Sequence, residues 1–202
     1  MLVARDELLR VYLTAIRIKL IENRALVDSK LDEEIAWYEA HRASYKADDA
    51  LDKLFIKSKE AESRFNTKTL PIAYESLFNI SYTEIENIRR AHEEVYKSMK
   101  NSIDLGVSRG ILRLDPFNRW FVDIEGVLND LDTITLKSKA KIAKMYEGST
   151  IEPKSTFTGA INELTPAITK LVGLNNFLTE LLNSINAQLT QNQLNYESGN
   201  SF

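Results

Sequence analysis

The residues that could do chemistry in this chain are few, and their spacing builds neither a catalytic nor a metal-binding motif. The two histidines are His41 and His92. A helical di-metal site uses Glu-x-x-His, but Tyr38 and Arg89 occupy the positions three residues before them. We interpret both histidines as structural, and we expect neither a metal nor a cofactor.

Nucleophilic and acid–base catalysis have equally little support. The chain has no cysteine, and its seven glycines form no phosphate-binding loop. Carboxylates that are adjacent in sequence diverge on a helix, so we interpret three such pairs as solvated. We therefore expect that the protein is not an enzyme. The pairs are Glu33-Glu34, Asp48-Asp49 and Glu93-Glu94.

One cluster of basic residues is a candidate contact for an anionic partner. Arg109, Arg113 and Arg119 lie in or after a segment that begins at Gly106, also contains Gly110 and leads to Trp120. Aromatic and basic side chains together can hold a nucleic-acid backbone. The formal net charge of the chain is −3, however, and phosphate-binding proteins usually carry a basic excess. Arginines of this kind more often pair with nearby acids, so the composition disfavours nucleic acid as a partner.

The elements that carry these residues are predicted from where glycine and proline are missing. The first proline is Pro71 and the first glycine is Gly106. Because both residues interrupt regular structure, their scarcity predicts long helices with few breaks. We predict an all-α protein in which residues 1–147 form an elongated bundle of long helices.

Local signals predict the boundaries within this bundle. We expect a turn at residues 66–71 and a new helix that starts at a capping box, Ser81 to Glu84. Residues 106–114 are expected to hold a loop with room for a short strand. Asp115-Pro116 then has the cap and the proline with which helices commonly begin.

The composition changes beyond Gly148, because only two of the 26 basic residues, Lys154 and Lys170, follow it. We predict a linker over 148–158, a low-charge helical arm over 159–195 and a frayed tail over 196–202. Pro166 marks the earliest start of the continuous helix in the arm.

The arm carries an apolar heptad, which is typical of a coiled coil. With few flanking charges and one polar core position, it suits association with another chain, although it could instead pack on its own domain. The first heptad of the chain, from Leu9 to Val27, has the same two interpretations, and packing within its own domain is favoured because residues 30–104 supply other helices. The predicted interface residues of the arm are Ile168, Leu171, Asn175, Leu178, Leu182, Ile185 and Leu189.

The segment Ser155-Thr-Phe-Thr-Gly-Ala-Ile-Asn-Glu-Leu164 resembles a phrase that recurs in structural proteins of tailed-bacteriophage virions. The uncharged helix that follows, to about residue 194, is also similar to such proteins. Fibre shafts are largely β, so the resemblance implies a helical connector, neck, baseplate or fibre-attachment component. It assigns no functional residues.

These observations predict a structural assembly subunit of a phage virion, which self-associates or binds other structural proteins through amphipathic helices. Two alternatives stay open: a non-viral helical adaptor that binds a partner helix, and a nucleic-acid-associated factor that uses residues 109–120. No apolar run is long enough to span a bilayer, so we expect no membrane partner. The expected location is the virion for a viral protein and the cytoplasm otherwise.

Overall fold

The structure is a computed structural model that describes residues 1–147 and 152–199, with side chains described as far as Asn192. Within these residues it contains helices and turns and no β-strand, which confirms the all-α prediction. The α-helices are α1 (Leu2–Glu22), α2 (Ser29–Ala43), α3 (Leu51–Arg64), α4 (Leu70–Ser108), α5 (Asn118–Ala143), α6 (Pro153–Leu164) and α7 (Pro166–Gly199).

The turn predicted at residues 66–71 is wrong, because the chain stays helical between α3 and α4. A π-helical turn spans Phe65–Thr69, and the amide of Leu70 donates to the carbonyl of Phe65. The wider turn leads into α4 with Pro71 in its first turn, where a missing N–H is tolerated. Helix α5 is preceded by a 3₁₀ turn, Asp115–Phe117, and followed by another, Lys144–Tyr146.

The capping box predicted at Ser81 does not start a helix. Helix α4 begins at Leu70 and continues through Ser81 and Glu84 to Ser108. The amides that a cap would satisfy are already bonded within this helix. The helix ends close to the predicted place, and Gly110 follows it with a φ of +70°. Residues 109–114 form turns and bends without a strand.

The helices form two compact units that differ from the predicted domains. Unit 1 contains Met1–Glu84 and Lys137–Glu163, and unit 2 contains Ile85–Leu136 and Leu164–Phe202. Helix α6 occupies the second half of the predicted linker, 148–158, whose residues 148–151 lie outside the described part. Helix α7 begins at Pro166 as predicted, and it includes the first residues of the tail expected to fray, 196–202. Residues 200–202 lie outside the described part.

Unit 1 is built around the antiparallel pair α1 and α2. Arg17 of α1 contacts Asp32 of α2 at 2.6 Å, whereas Asp6, near the start of α1, contacts His41, near the end of α2, at 2.5 Å. The predicted heptad of α1 packs within unit 1 on α2 and the first part of α4. The buried members of this core are Leu13, Ile16, Leu20, Leu31, Tyr38, Ile72 and Ala73.

Helix α2 has a side-chain cap whose loss should be measurable. The carboxylate of Asp28 accepts a hydrogen bond from the amide of Lys30 at 2.9 Å. We expect Asp28→Ala to lower the free energy of unfolding by about 1 kcal/mol in urea denaturation, because one helix-start amide loses its partner. Asn also caps helices, so Asp28→Asn is the control and should retain most of this stability. Equal losses in both variants would contradict the role of the cap.

Candidate functional site

Within unit 2, the second half of α4 packs antiparallel to α5. Arg89 contacts Asp132 at 2.6 Å, and Lys100 contacts Glu125 at 2.8 Å. The hydroxyl of Tyr96 also donates to Glu125, at 2.7 Å. Burial and this hydrogen bond raise the pKa of Tyr96 to about 12, while hydrogen bonds from Lys100 and Tyr96 lower the pKa of the Glu125 carboxyl. These contacts fix the register of α4 on α5.

Helix α7 packs on α5 and runs parallel to α4. Lys170 contacts Asp130 at 2.6 Å, and the ring centroids of Trp120 and Phe177 are 6.4 Å apart. An earlier residue of α7 thus meets a later residue of α5, which makes these two helices antiparallel. One stripe of α7 is buried, so this helix packs within its own chain. The stripe consists of Leu171, Leu174, Leu178 and Leu181.

A groove of about 260 Å³ lies between α4 and α7 in unit 2. No Asp, Glu, Lys or Arg lines the groove, and five of its eight lining residues are aliphatic or Met. Helix α4 contributes one wall and α7 contributes the other. The lining residues are Ala91, His92, Val95 and Met99 from α4 and Asn175, Leu178, Thr179 and Leu182 from α7.

Large aliphatic side chains extend this surface along both helices. On α4, Ile88 and Val95 are 42% and 45% exposed. Such a concentration of exposed apolar side chains is typical of an interaction site. We call these residues, together with the lining of the groove, the α4–α7 face. Its exposed members on α7 are Ile168, Val172, Leu182 and Leu189, at 58%, 59%, 43% and 38%.

Polar side chains on the α4–α7 face donate hydrogen bonds to their own helices. Nδ1 of His92 donates to the carbonyl of Ile88 at 2.8 Å. The hydroxyl of Thr179 donates to the carbonyl of Asn175 at 2.9 Å. Burying a polar group without a partner is costly, and these two donors already have partners. An apolar partner could therefore cover these two groups without leaving their donors unsatisfied.

The structure divides the predicted interface residues of α7 into two sets. Leu171 and Leu178 are buried within the chain, with 6% and 5% of their surface exposed. Ile185 is half-buried. The exposed members are Ile168, Asn175, Leu182 and Leu189. The buried side of the helix packs within its own chain, and association of another chain with the exposed side stays a prediction.

The α4 wall of the groove was not among the predicted interface residues, although the sequence carries a signal for it. Ile88, Val95 and Met99 recur at helical spacing, and His92 lies on the same side of the helix. The spacing of these residues indicates a single apolar side of α4, but in the structure the helix has a second apolar side, which is buried. Tyr96 and Ile103 face the interior at 5% and 0% exposure.

The three predicted arginine contacts are exposed on unit 2. Arg109 and Arg113 lie in the loop after α4. Arg119 contacts Asp123 at 3.5 Å, and its guanidinium lies 5.1 Å from the centroid of the Trp120 ring. Pairing with a nearby acid was the expected alternative for Arg119. Contact of these arginines with an anionic partner stays a prediction.

Amide side chains of α7 hold the loop that carries two of these arginines. Gln188 accepts a hydrogen bond from the amide of Arg113 at 2.9 Å and donates to its carbonyl at 3.3 Å. Asn192 donates to the carbonyl of Ile111. The Asn- and Gln-rich end of α7 therefore has a structural role within unit 2.

Two carboxylates of unit 1 that were predicted to be solvated have little exposure: the side chain of Asp49 is 6% exposed and contacts Lys57 at 2.6 Å, and Glu34 is buried. Glu34 is 2% exposed and forms two hydrogen bonds with Arg64, at 2.6 and 3.2 Å. It also accepts a hydrogen bond from the hydroxyl of Thr69 at 2.8 Å. Its neighbour Glu33 is exposed, so adjacent acids on a helix do diverge, but one of the two points inward.

The two histidines lie in different surroundings. His41 is buried in unit 1, where Nδ1 contacts Asp6 and the ring stacks on Trp37 at a centroid distance of 4.4 Å. His92 lines the groove of unit 2. Among residues 1–147 and 152–199, no group of three or more His, Cys, Asp or Glu side chains is arranged to hold a metal ion.

No protein-family model, curated protein or solved structure matches this chain. Over the described residues, none of the helices combines the length and apolar character required to span a bilayer.

Proposed function

We propose that this chain is a structural assembly subunit that associates with other protein chains through the α4–α7 face. The exposed apolar side chains of this face, on two parallel helices and around an uncharged groove, are the observation that carries the proposal. A helix laid into such a groove is a common mode of recognition between proteins.

The size of the exposed apolar surface suits a contact that is repeated within an assembly. Full burial of an aliphatic side chain contributes about 1.5–3 kcal/mol, and the six aliphatic side chains of this face are about half exposed. Covering them would contribute roughly 5–9 kcal/mol before the costs of association are subtracted. The costs of association reduce this gain, and several such contacts acting together strengthen an assembly.

A phage virion is the assembly that we propose, as a connector, neck, baseplate or fibre-attachment component. The support is the resemblance over residues 155–164 and the low charge of the helix that follows. In the structure, the segment lies in α6, and the low-charge helix is α7, which supplies one wall of the groove.

The proposal predicts that charges on the α4–α7 face prevent assembly. We expect the wild-type chain to form a defined oligomer in light scattering on a sizing column, and Val172→Asp with Leu182→Asp to shift it to monomer. Both positions are exposed, so the fold should tolerate the change. Leu178 is unsuitable because a charge at this buried position would unfold unit 2.

The matched control places the same two charges on exposed aliphatic positions of α5. Val122 and Leu136 are 70% and 71% exposed, and Val122→Asp with Leu136→Asp should leave the oligomer intact. An oligomer that survives the charges on the α4–α7 face would contradict the proposed site.

The adaptor is the second candidate function, and the shape of the groove favours it. A groove between two parallel helices can accept an amphipathic helix from a different protein. A wild-type chain that remains monomeric over the accessible concentration range would contradict self-association and favour this alternative.

A further inference from the structure

We infer that the partner of the α4–α7 face is the same face of a second copy, placed antiparallel across a two-fold axis that passes near Thr179. This inference rests on the proposed function and adds to it the identity and the orientation of the partner. The argument starts from the distribution of charge around the face.

Three charged residues near the face, Lys170 and Glu180 of α7 and Arg89 of α4, either have a partner on α5 or point away from the face. Lys170 of α7 contacts Asp130 of α5, and Arg89 of α4 contacts Asp132 of α5. Glu180 follows Thr179 and so points about 100° away from it around the helix. Charged side chains of a partner that faced α7 would lose their hydration and would form no ion pair in return.

Helix α7 of a second copy meets this requirement. Between Leu164 and Asn192 its charged residues are Lys170 and Glu180, and neither lies on the face. Its exposed apolar side chains run from Ile168 to Leu189, a distance of about 30 Å along the helix. Two copies can therefore cover each other over this length, and the resulting self-complementary contact is closed.

The direction of the second copy follows from the helix dipoles. Helices α4 and α7 are parallel, so their partial charges at each end have the same sign. An antiparallel copy places opposite ends side by side, and the sparse charges on the face provide no competing preference. An axis between Leu178 and Thr179 then brings the two Thr179 side chains close together and places Asn175 opposite Leu182 and Ile168 opposite Leu189.

Disulfide formation between single cysteines tests this arrangement cleanly, because the chain has no cysteine of its own. Disulfides need Cα atoms within about 7 Å, so they report on direct apposition. Under mild oxidation of the full chain, we expect Thr179→Cys to form about tenfold more covalent dimer than the exposed control Val122→Cys, since docking raises the local thiol concentration.

The orientation is tested with Ile168→Cys and Leu189→Cys. In an antiparallel dimer neither variant should link to itself, whereas a mixture of the two should form a linked heterodimer. Self-linking of Ile168→Cys would overturn the antiparallel arrangement.

The outcomes separate this inference from the proposed function. If Val172→Asp with Leu182→Asp shifts the oligomer to monomer but Thr179→Cys forms no covalent dimer, the face associates with a different surface. That result contradicts only this inference. If those aspartates leave an oligomer intact, or the wild-type chain is a monomer, both fall.

Discussion

A chain that ends after Thr165, and so lacks α7, is expected to lose the fold of unit 2 and to keep the fold of unit 1. Four leucines of α7 are buried, at 0% to 6% exposure. Each contributes about 1.5–3 kcal/mol by burial, so their loss is comparable with the whole stability of a domain, about 5–15 kcal/mol. Phe117, Ile124 and Leu131, which are fully buried in unit 2, would remain without this cover.

Hydrogen exchange measured peptide by peptide would show this effect. Amides of residues 85–136 should lose their protection, and amides of α1 and α2 should keep theirs. A chain that ends after Asn192 is the matched control, because it retains the buried leucines and both side-chain amides that hold the loop after α4. Protection of residues 118–136 that survives the loss of α7 would contradict the role of this helix in the core.

The sequence predicts part of the fold, and the helix boundaries are its least predictable feature. The scarcity of glycine and proline correctly predicts long helices, and Pro166 marks the start of α7. The capping box at Ser81 misleads because a cap acts only where a helix begins, and α4 has already begun at Leu70. Local signals therefore predict the type of an element more reliably than its ends.

The candidate site is only partly predictable for a different reason. The spacing of the apolar residues in α7 shows which side chains favour burial, but it does not show what buries them. Leu174 and Leu181 widen the stripe, and they direct one side of the helix into unit 2. Ile168 and Leu182, in the same heptad, stay exposed. Pairing of α7 with α4 and α5 decides this division, and the pairing is a property of the tertiary structure.

A buried ion pair in unit 1 is the other feature that the sequence does not reveal. Glu34 looks like half of a solvated pair of acids, yet its carboxylate binds Arg64 and Thr69. The guanidinium of Arg64 lies 4.5 Å from the centroid of the Trp37 ring, and Tyr38 donates to Thr69 at 2.9 Å. These contacts connect α2 with the end of α3 and with the π-helical turn that follows.

Glu34→Ala is expected to lower the free energy of unfolding by about 3–5 kcal/mol. Removing one partner of a buried ion pair leaves the other charge uncompensated, and the side chain of Arg64 is only 22% exposed. The hydroxyl of Thr69 also loses an acceptor. Urea denaturation followed by the fluorescence of Trp37 measures the change, in a Trp120→Phe background that removes the other tryptophan.

Two further variants assign this loss to the pair. Glu33→Ala removes the exposed neighbouring acid and should change stability by less than about 0.5 kcal/mol. Replacing both partners, as Glu34→Leu with Arg64→Leu, should cost less than Glu34→Ala, because it leaves no buried charge behind. If Glu34→Ala were as mild as Glu33→Ala, the ion pair would not stabilise unit 1. A double variant that loses as much stability as Glu34→Ala would show that the uncompensated charge of Arg64 is not the cause of the loss. The pair would then contribute through its shape and its hydrogen bonds.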